Sequence, residues 1–128
     1  MTNSNGVRVL VVDDCQDSAD MLCTLLKIWG FEAQCAYGGL EALGKFGVFQ
    51  PDGVLIDLGM PRLDGIALGE RVRELPGGND TTLIAVTGFN DEDHRLRCML
   101  AGFDHFLAKP VDAQKLELLL DEAGLKAS

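Results

Sequence analysis

Several familiar signals are missing from this sequence. Its four cysteines, Cys15, Cys23, Cys35 and Cys98, form no C-x-x-C pair, and no histidine stands at zinc-ligand spacing. That spacing argues against a zinc module and against a disulfide framework, and points to reduced, mostly packed thiols in the cytoplasm. Basic residues are scarce: 11 Lys and Arg face 20 Asp and Glu, for a formal net charge of −9. A field of that sign repels phosphate-rich polymers, so direct binding to nucleic acid is not expected. It suits a divalent cation or a basic protein surface. No apolar run is long enough to span a bilayer, so no membrane segment is expected. Met1 to Gly6 is polar and lacks the apolar stretch of a signal peptide, and reads as a tail.

What remains is an ordinary globular balance. The 128 residues are 47% hydrophobic and 24% charged, enough for one domain with a real core. The domain is expected over residues 7–124, with 125–128 as a C-terminal tail. Val7 to Val12 is short, β-branched and nearly all apolar, as in a strand buried on both faces. Asp17 to Gly30 follows as a helix, with Leu22, Leu25, Leu26 and Trp29 at helical spacing and Gly30 as its stop. The pattern then repeats. Strands are expected at Phe31 to Ala36, Gly53 to Ile56, Leu83 to Val86 and Phe103 to Ala108. Helices are expected at Gly39 to Phe46 (Leu40, Ala42 and Leu43 inward), Ile66 to Leu75, Asp91 to Leu100 and Asp112 to Ala123. Strict alternation with continuous apolar strands predicts an α/β doubly wound fold, a five-stranded parallel sheet with helices on both faces.

In such a sheet, ligands bind beyond the carboxyl ends of the strands. Those ends carry Asp13 and Asp14, then Asp57, Thr87 and Lys109, so four of the five deliver a polar or charged side chain; the second strand ends at Ala36-Tyr37, with nothing charged. Carboxylates brought together raise one another's pKa unless something positive joins them. A hard cation such as Mg²⁺ or Mn²⁺ answers that need, since it takes oxygen ligands and commonly binds one or two carboxylates plus a phosphate. Lys109 adds a fixed positive charge, and Thr87 a hydroxyl that can donate to an oxyanion. The set suits phosphoryl transfer, with Asp57 as nucleophile.

These residues carry a resemblance. Asp13-Asp14, "DLGMPRLDG" from Asp57 to Gly65, "VTG" at Val86 to Gly88, and "KP" at Lys109-Pro110 together resemble the response-regulator receiver domain of two-component signalling. The likeness spans Val7 to about Ala123 and implies the flavodoxin-like (βα)5 receiver fold. It implies that Asp57 accepts a phosphoryl group from a sensor histidine kinase or a histidine phosphotransfer domain. Asp14 would ligate Mg²⁺ directly, Asp13 through water, and Gly59 by its backbone carbonyl. Thr87, with Gly88, and Lys109 would engage the phosphoryl group. Phe106 falls at the position of the family's switch aromatic, and the bond before Pro110 would be cis. Output would run through the fourth helix, fifth strand and fifth helix, Asp91 to Ala123, to a downstream protein, from a monomer or weak dimer. The "LGMPRLDG" and "AGFDHFLAKPVD" stretches look most like receivers attached to hybrid histidine kinases, or stand-alone ones of that lineage. Because the sequence stops after the fifth helix, output is expected to go through protein–protein contact rather than through an attached DNA-binding or enzymatic effector.

Some positions depart from the common pattern. Cys15 puts a thiol where many receivers carry a polar residue. Gly59 and Phe89, two residues after Asp57 and Thr87, predict slow autodephosphorylation, because Gly holds no attacking water and Phe can shield the phosphate. His94 and His105 read as surface residues, and Cys98 with Asp91 to Asp93 as a solvated helix start capped by Asn90 or Asp91. Asp64-Gly65 reads as a turn and cap. Three rivals have distinct signatures. An aspartyl phosphatase needs an Asp at Gly59. A flavodoxin-like cofactor module needs a phosphate loop where Asp13-Asp14 stands. A receiver-like interaction module would keep the fold without phosphorylation.

Overall fold

The computed structural model describes residues 6–60, 64–88 and 92–126. The expected tail at Met1 to Asn5, Ala127 and Ser128, the Pro61 to Leu63 turn, Phe89, and the caps Asn90 and Asp91 lie outside the described residues. The elements alternate: β1 (Arg8–Val12), α1 (Gln16–Ile28), β2 (Glu32–Ala36), α2 (Gly39–Phe49), β3 (Gly53–Asp57), α3 (Gly65–Glu74), β4 (Thr82–Thr87), α4 (Glu92–Ala101), β5 (His105–Ala108) and α5 (Ala113–Glu122). All pairings are parallel, in the order β2-β1-β3-β4-β5. The chain reverses its winding between β1 and β3, which leaves a crevice at the carboxyl ends of those two strands.

The strands divide the core by their period of two. Leu10, Val12, Val54, Ile56, Leu83 and Ala85 face a layer closed by Phe46, Leu68, Val72 and Cys98 of α2, α3 and α4. Val9, Val11, Leu55, Ile84, Val86 and Leu107 face the other layer, closed by Ala19, Cys23 and Leu26 of α1 and Leu116 and Leu120 of α5. Gly30 and Gly102, at φ 98° and 105°, take left-handed conformations just past α1 and α4, where a side chain would be strained. Asp64 caps α3 by accepting from Ala67 N at 2.9 Å, and Asp112 caps α5 by accepting from Gln114 N and Lys115 N.

Local expectations needed correction in several places. α2 runs a turn further, to Phe49, and Leu40 faces out at 82% exposure. Leu40 and Ala42 stand 200° apart on a helix, so they cannot share a face, and Gly39, Ala42 and Phe46 point inward instead. Cys98 is fully buried rather than solvated, paired inward with Ala101 while Leu96, Met99 and Leu100 are exposed. His94 and His105 are half-buried. β5 begins at His105, not Phe103. Leu125, assigned to a tail from sequence, is packed in the α1–α5 layer, its N–H donating to Leu120 O at 2.8 Å.

At the amino-terminal edge of the sheet, Arg73 of α3 knits three loops together. Its guanidinium donates to the carbonyls of Gly78, Thr81 and Gly102 at 2.6–3.0 Å and to Asp104 Oδ2 at 2.8 Å. The same Asp104 oxygen accepts from Leu83 N at 2.9 Å.

Candidate functional site

The site is built by strands that end in step. β1 ends at Val12, opposite Ile56, so the next residue on each, Asp13 and Asp57, emerges at the same level. Asp13 N donates to Ala36 O at 3.1 Å, which carries the sheet's hydrogen bonding one residue past β1. Leu58 N donates to Val86 O at 3.0 Å and does the same beyond β3. Lys109 N donates to Thr87 O at 2.9 Å, tying the β5 exit to the β4 exit. A rigid sheet therefore sets the positions of these backbones.

Asp13, Asp14 and Asp57 each offer a carboxylate oxygen, and these lie within 4.8 Å of one another. Asp13 and Asp57 are buried, at 7% and 6% exposure, and Asp14 is exposed. Lys109 Nζ stands 2.8 Å from Asp57 Oδ1, which also accepts from Gly59 N at 3.0 Å. Burial above all, then the charge of Asp57 and a hydrogen bond with it, hold the Asp13 carboxyl above the usual carboxylate range; the Cys15 N–H and Lys109 pull the other way. One lysine among three carboxylates leaves the cluster short of positive charge. All of its donors are hard oxygens with one open, exposed member. That chemistry fits Mg²⁺ or Mn²⁺, with room for waters on the Asp14 side.

The other residues singled out from sequence fall around this cluster. Thr87 is buried at the end of β4, and Gly88 follows it, exposed. Gly59 is exposed in the turn after β3. The Lys109–Pro110 peptide bond is cis. Phe106 lies opposite Ala85 on β5, half-buried against the α2–α4 layer, with the Arg95 guanidinium carbon 5.1 Å from its ring centre. It is therefore on the neighbouring strand to Thr87 rather than in the acidic cluster. Cys15 contributes through its backbone: its N–H donates to Asp13 Oδ1 at 3.0 Å as α1 begins.

Sequence reasoning missed the space beside the cluster. An open cavity of about 1070 Å³ runs from Asp14, Asp57 and Lys109 along α1, past Met21, Leu25 and Ile28. Met21 and Ile28 are 69% and 73% exposed. The signal was present. Met21, Leu25 and Ile28 follow i, i+4, i+7 spacing beside the buried stripe, a second apolar face that a helix covering only its own sheet does not need.

The response regulator receiver domain family model matches residues 9–121. An uncharacterised 14.6 kDa protein of Leptolyngbya boryana is 37% identical over 89% of this chain and 87% of its own length. The regulatory protein AtoC of Escherichia coli is 33% identical over 91% of this chain, which spans only 25% of that protein. The response regulator MprA of Mycobacterium tuberculosis is 35% identical over 87% of this chain and 47% of its own length. Among solved structures, the chemotaxis protein CheY4 of Vibrio cholerae aligns with TM-score 0.88 and 26% identity, over 91% of this chain and 98% of that one. A response regulator of Chloroflexus aurantiacus aligns with TM-score 0.84 and 31% identity, over 91% and 96%. Fold, strand-end chemistry and relatives agree: the chain belongs to the response regulator receiver domains of two-component signalling.

Proposed function

We propose that Asp57 takes a phosphoryl group from a phosphohistidine on a sensor kinase or phosphotransfer domain and that the product switches a protein-binding surface. The observation that carries this is the buried Asp57 carboxylate, flanked by Asp13 and Asp14 and contacted by Lys109 at 2.8 Å. In the reaction, an Asp57 oxygen forms an O–P bond as the N–P bond of the phosphoimidazole breaks. The imidazole leaves with the electron pair and takes up a proton. Asp13, Asp14, Asp57 and the Gly59 carbonyl would hold Mg²⁺ or Mn²⁺, which neutralises charge on the transferred oxygens. Lys109 is placed to pair a phosphoryl oxygen, and Thr87 with Gly88 to meet another from β4.

The donor reaches Asp57 from the cavity side. Its apolar contacts fall on Met21, Leu25 and Ile28, because that stripe lines the same cavity as Asp57 and Lys109. Output leaves by α4, β5 and α5, with Phe106 as the moving aromatic and Leu96, Met99 and Leu100 exposed for a partner protein. The domain acts as a stoichiometric acceptor in the cytoplasm, as a monomer or weak dimer without contact to nucleic acid, and loses its phosphate slowly because Gly59 brings no side chain to hold a water. Among the described residues, no helix is long and apolar enough to cross a membrane.

Intact mass after incubation with a small-molecule phosphodonor and Mg²⁺ tests the reading. One phosphoryl group on the wild type, absent with EDTA and absent from Asp57→Asn, is the expected result. No addition from either the small donor or a panel of phosphohistidine proteins overturns it in favour of an interaction module. A phosphoprotein half-life of seconds overturns the slow loss. Ile28→Asp should slow transfer from a protein donor about tenfold and leave the small-donor rate unchanged, since one buried apolar side chain is worth ~1.5 kcal/mol or more.

A further inference from the structure

Gly65 opens α3, eight residues after the nucleophile, and contacts the site through the backbone. A Cβ built on it would stand 2.7 Å from Leu58 Cα and 2.8 Å from both Asp57 O and Leu58 Cδ2. Two of those three atoms are main chain, so no rotamer change can relieve the conflict. The segment they belong to cannot drift either: Leu58 N is held by Val86 O, and Gly59 N is held by Asp57 Oδ1. Nor can α3 easily withdraw, because Leu68 and Val72 are buried in the core and Arg73 is fixed to three carbonyls at the helix's far end. The first turn of α3 is thus seated directly on the peptide that leaves Asp57.

We propose that Gly65 is a positioning residue for Asp57 and the Gly59 turn: the missing side chain lets α3 clamp the strand exit and so sets where the carboxylate and the turn's carbonyl meet a metal and a phosphoryl group. The inference rests on the phosphoacceptor reading for its rate readout but not for its metal readout. A displacement of well under an ångström at the Asp57 main chain moves reacting atoms out of the near-attack geometry, where such shifts are costly.

Gly69 provides the control. It lies one turn further along the same helix, and a Cβ there would stand 2.5 and 2.7 Å from atoms of the buried Phe103 ring, so its conflict is with a side chain of the core and not with the peptide that leaves Asp57. The experiment compares wild type, Gly65→Ala and Gly69→Ala at a temperature well below every melting transition. Mg²⁺ affinity is read by calorimetry, and the phosphorylation rate with a small phosphodonor by intact mass. Gly65→Ala should weaken Mg²⁺ at least threefold and slow phosphorylation at least tenfold at saturating Mg²⁺. Gly69→Ala should melt lower yet match the wild type within twofold on both. Should Gly65→Ala fail to fold, Leu58→Ala loosens the same seat from the strand side, and the same two readouts should fall, with smaller amplitude. Wild-type values for the variant at Gly65, or equal losses in Gly69→Ala, overturn the proposal. A wild type that accepts no phosphoryl group overturns the phosphoacceptor reading instead, and the Mg²⁺ comparison still decides the role of Gly65.

Discussion

The two edges of this sheet handle charge in opposite ways. At the amino-terminal edge, Arg73 meets three carbonyls and Asp104, and Asp104 in turn takes Leu83 N. Donors and acceptors there are matched, and the cluster joins the α3–β4 turn to the approach into β5. At the carboxyl-terminal edge, three carboxylates stand together, Lys109 pairs with Asp57, and Asp13 is held above its ordinary range by burial and by Asp57. One cluster is satisfied by the chain itself; the other is short of positive charge and open to solvent. A folded chain retains such an imbalance where a ligand completes it. The difference between the edges therefore separates the polar residues that hold the fold from those that work.

The largest effect should come from breaking the satisfied edge. Arg73→Ala strands buried carbonyl groups and should cost ~3 kcal/mol, which lowers the melting temperature by roughly 10 °C. The phosphorylation rate of the folded variant should stay within twofold of wild type, and a large drop would mean that the edges are coupled. The opposite edge should respond to metal. Mg²⁺ at ten times its dissociation constant should stabilise the wild type by ~1.4 kcal/mol, removed by EDTA, as read by thermal melts. Arg73→Ala should show the same gain, and Asp57→Asn a smaller one. Removing one of the crowded carboxylates should sharpen the contrast further. Asp13→Asn should raise the melting temperature of the metal-free protein by a few degrees and weaken Mg²⁺, as a group that loses free energy by being charged in place. A metal-free Asp13→Asn protein that melts lower than wild type would show that the cluster is balanced without a cation.

The working edge was more legible in sequence than the structural one, for a physical reason. Asp13, Asp57 and Thr87 each end a largely apolar strand and Lys109 follows Phe106-Leu107-Ala108, and parallel strands in register bring their ends to one rim whatever the details of packing. Arg73 carried no such signal. In the last turn of a helix it reads as a solvated, dipole-matching cation, and only the tertiary fold shows the carbonyls of Gly78, Thr81 and Gly102 converging on it. Leu40 and Cys98 were misread for a related cause. On short helices, one apolar stripe and its neighbour differ by a single residue, and which one turns inward is decided by core partners elsewhere in the chain, such as Leu10 and Val54 of the sheet for α2 and Phe103 for α4. The Gly65 contact was equally hidden, since an Asp-Gly pair reads as a turn and cap. The steric role appears only when α3 is laid against Leu58.

A third cluster, at the exposed flank of β2, falls between the two edges and should give the smallest effect. Asp20 Oδ1 accepts from the Tyr37 hydroxyl at 2.5 Å, so a carboxylate is answered by a neutral donor rather than by a cation. That hydrogen bond, more than any other influence, pushes the Tyr37 phenol up to about 12. Burial, then the Cys23 thiol and Asp20, push the Cys35 thiol up to about 12 as well. Both groups hold their protons more tightly in the folded state than in the unfolded chain, where the ordinary values are 9.0 for the thiol and 10.0 for the phenol. Their contribution is therefore complete below about pH 9 and declines as the pH rises towards about 12, because over that range the unfolded chain binds fewer protons. Urea unfolding from pH 8 to 12 should show stability falling on the alkaline side. In Tyr37→Phe the phenol no longer titrates, so the alkaline decline should be shallower. Parallel declines in the two proteins would mean that Tyr37 and Asp20 are not coupled in solution, and that this flank resembles neither edge but is simply solvated.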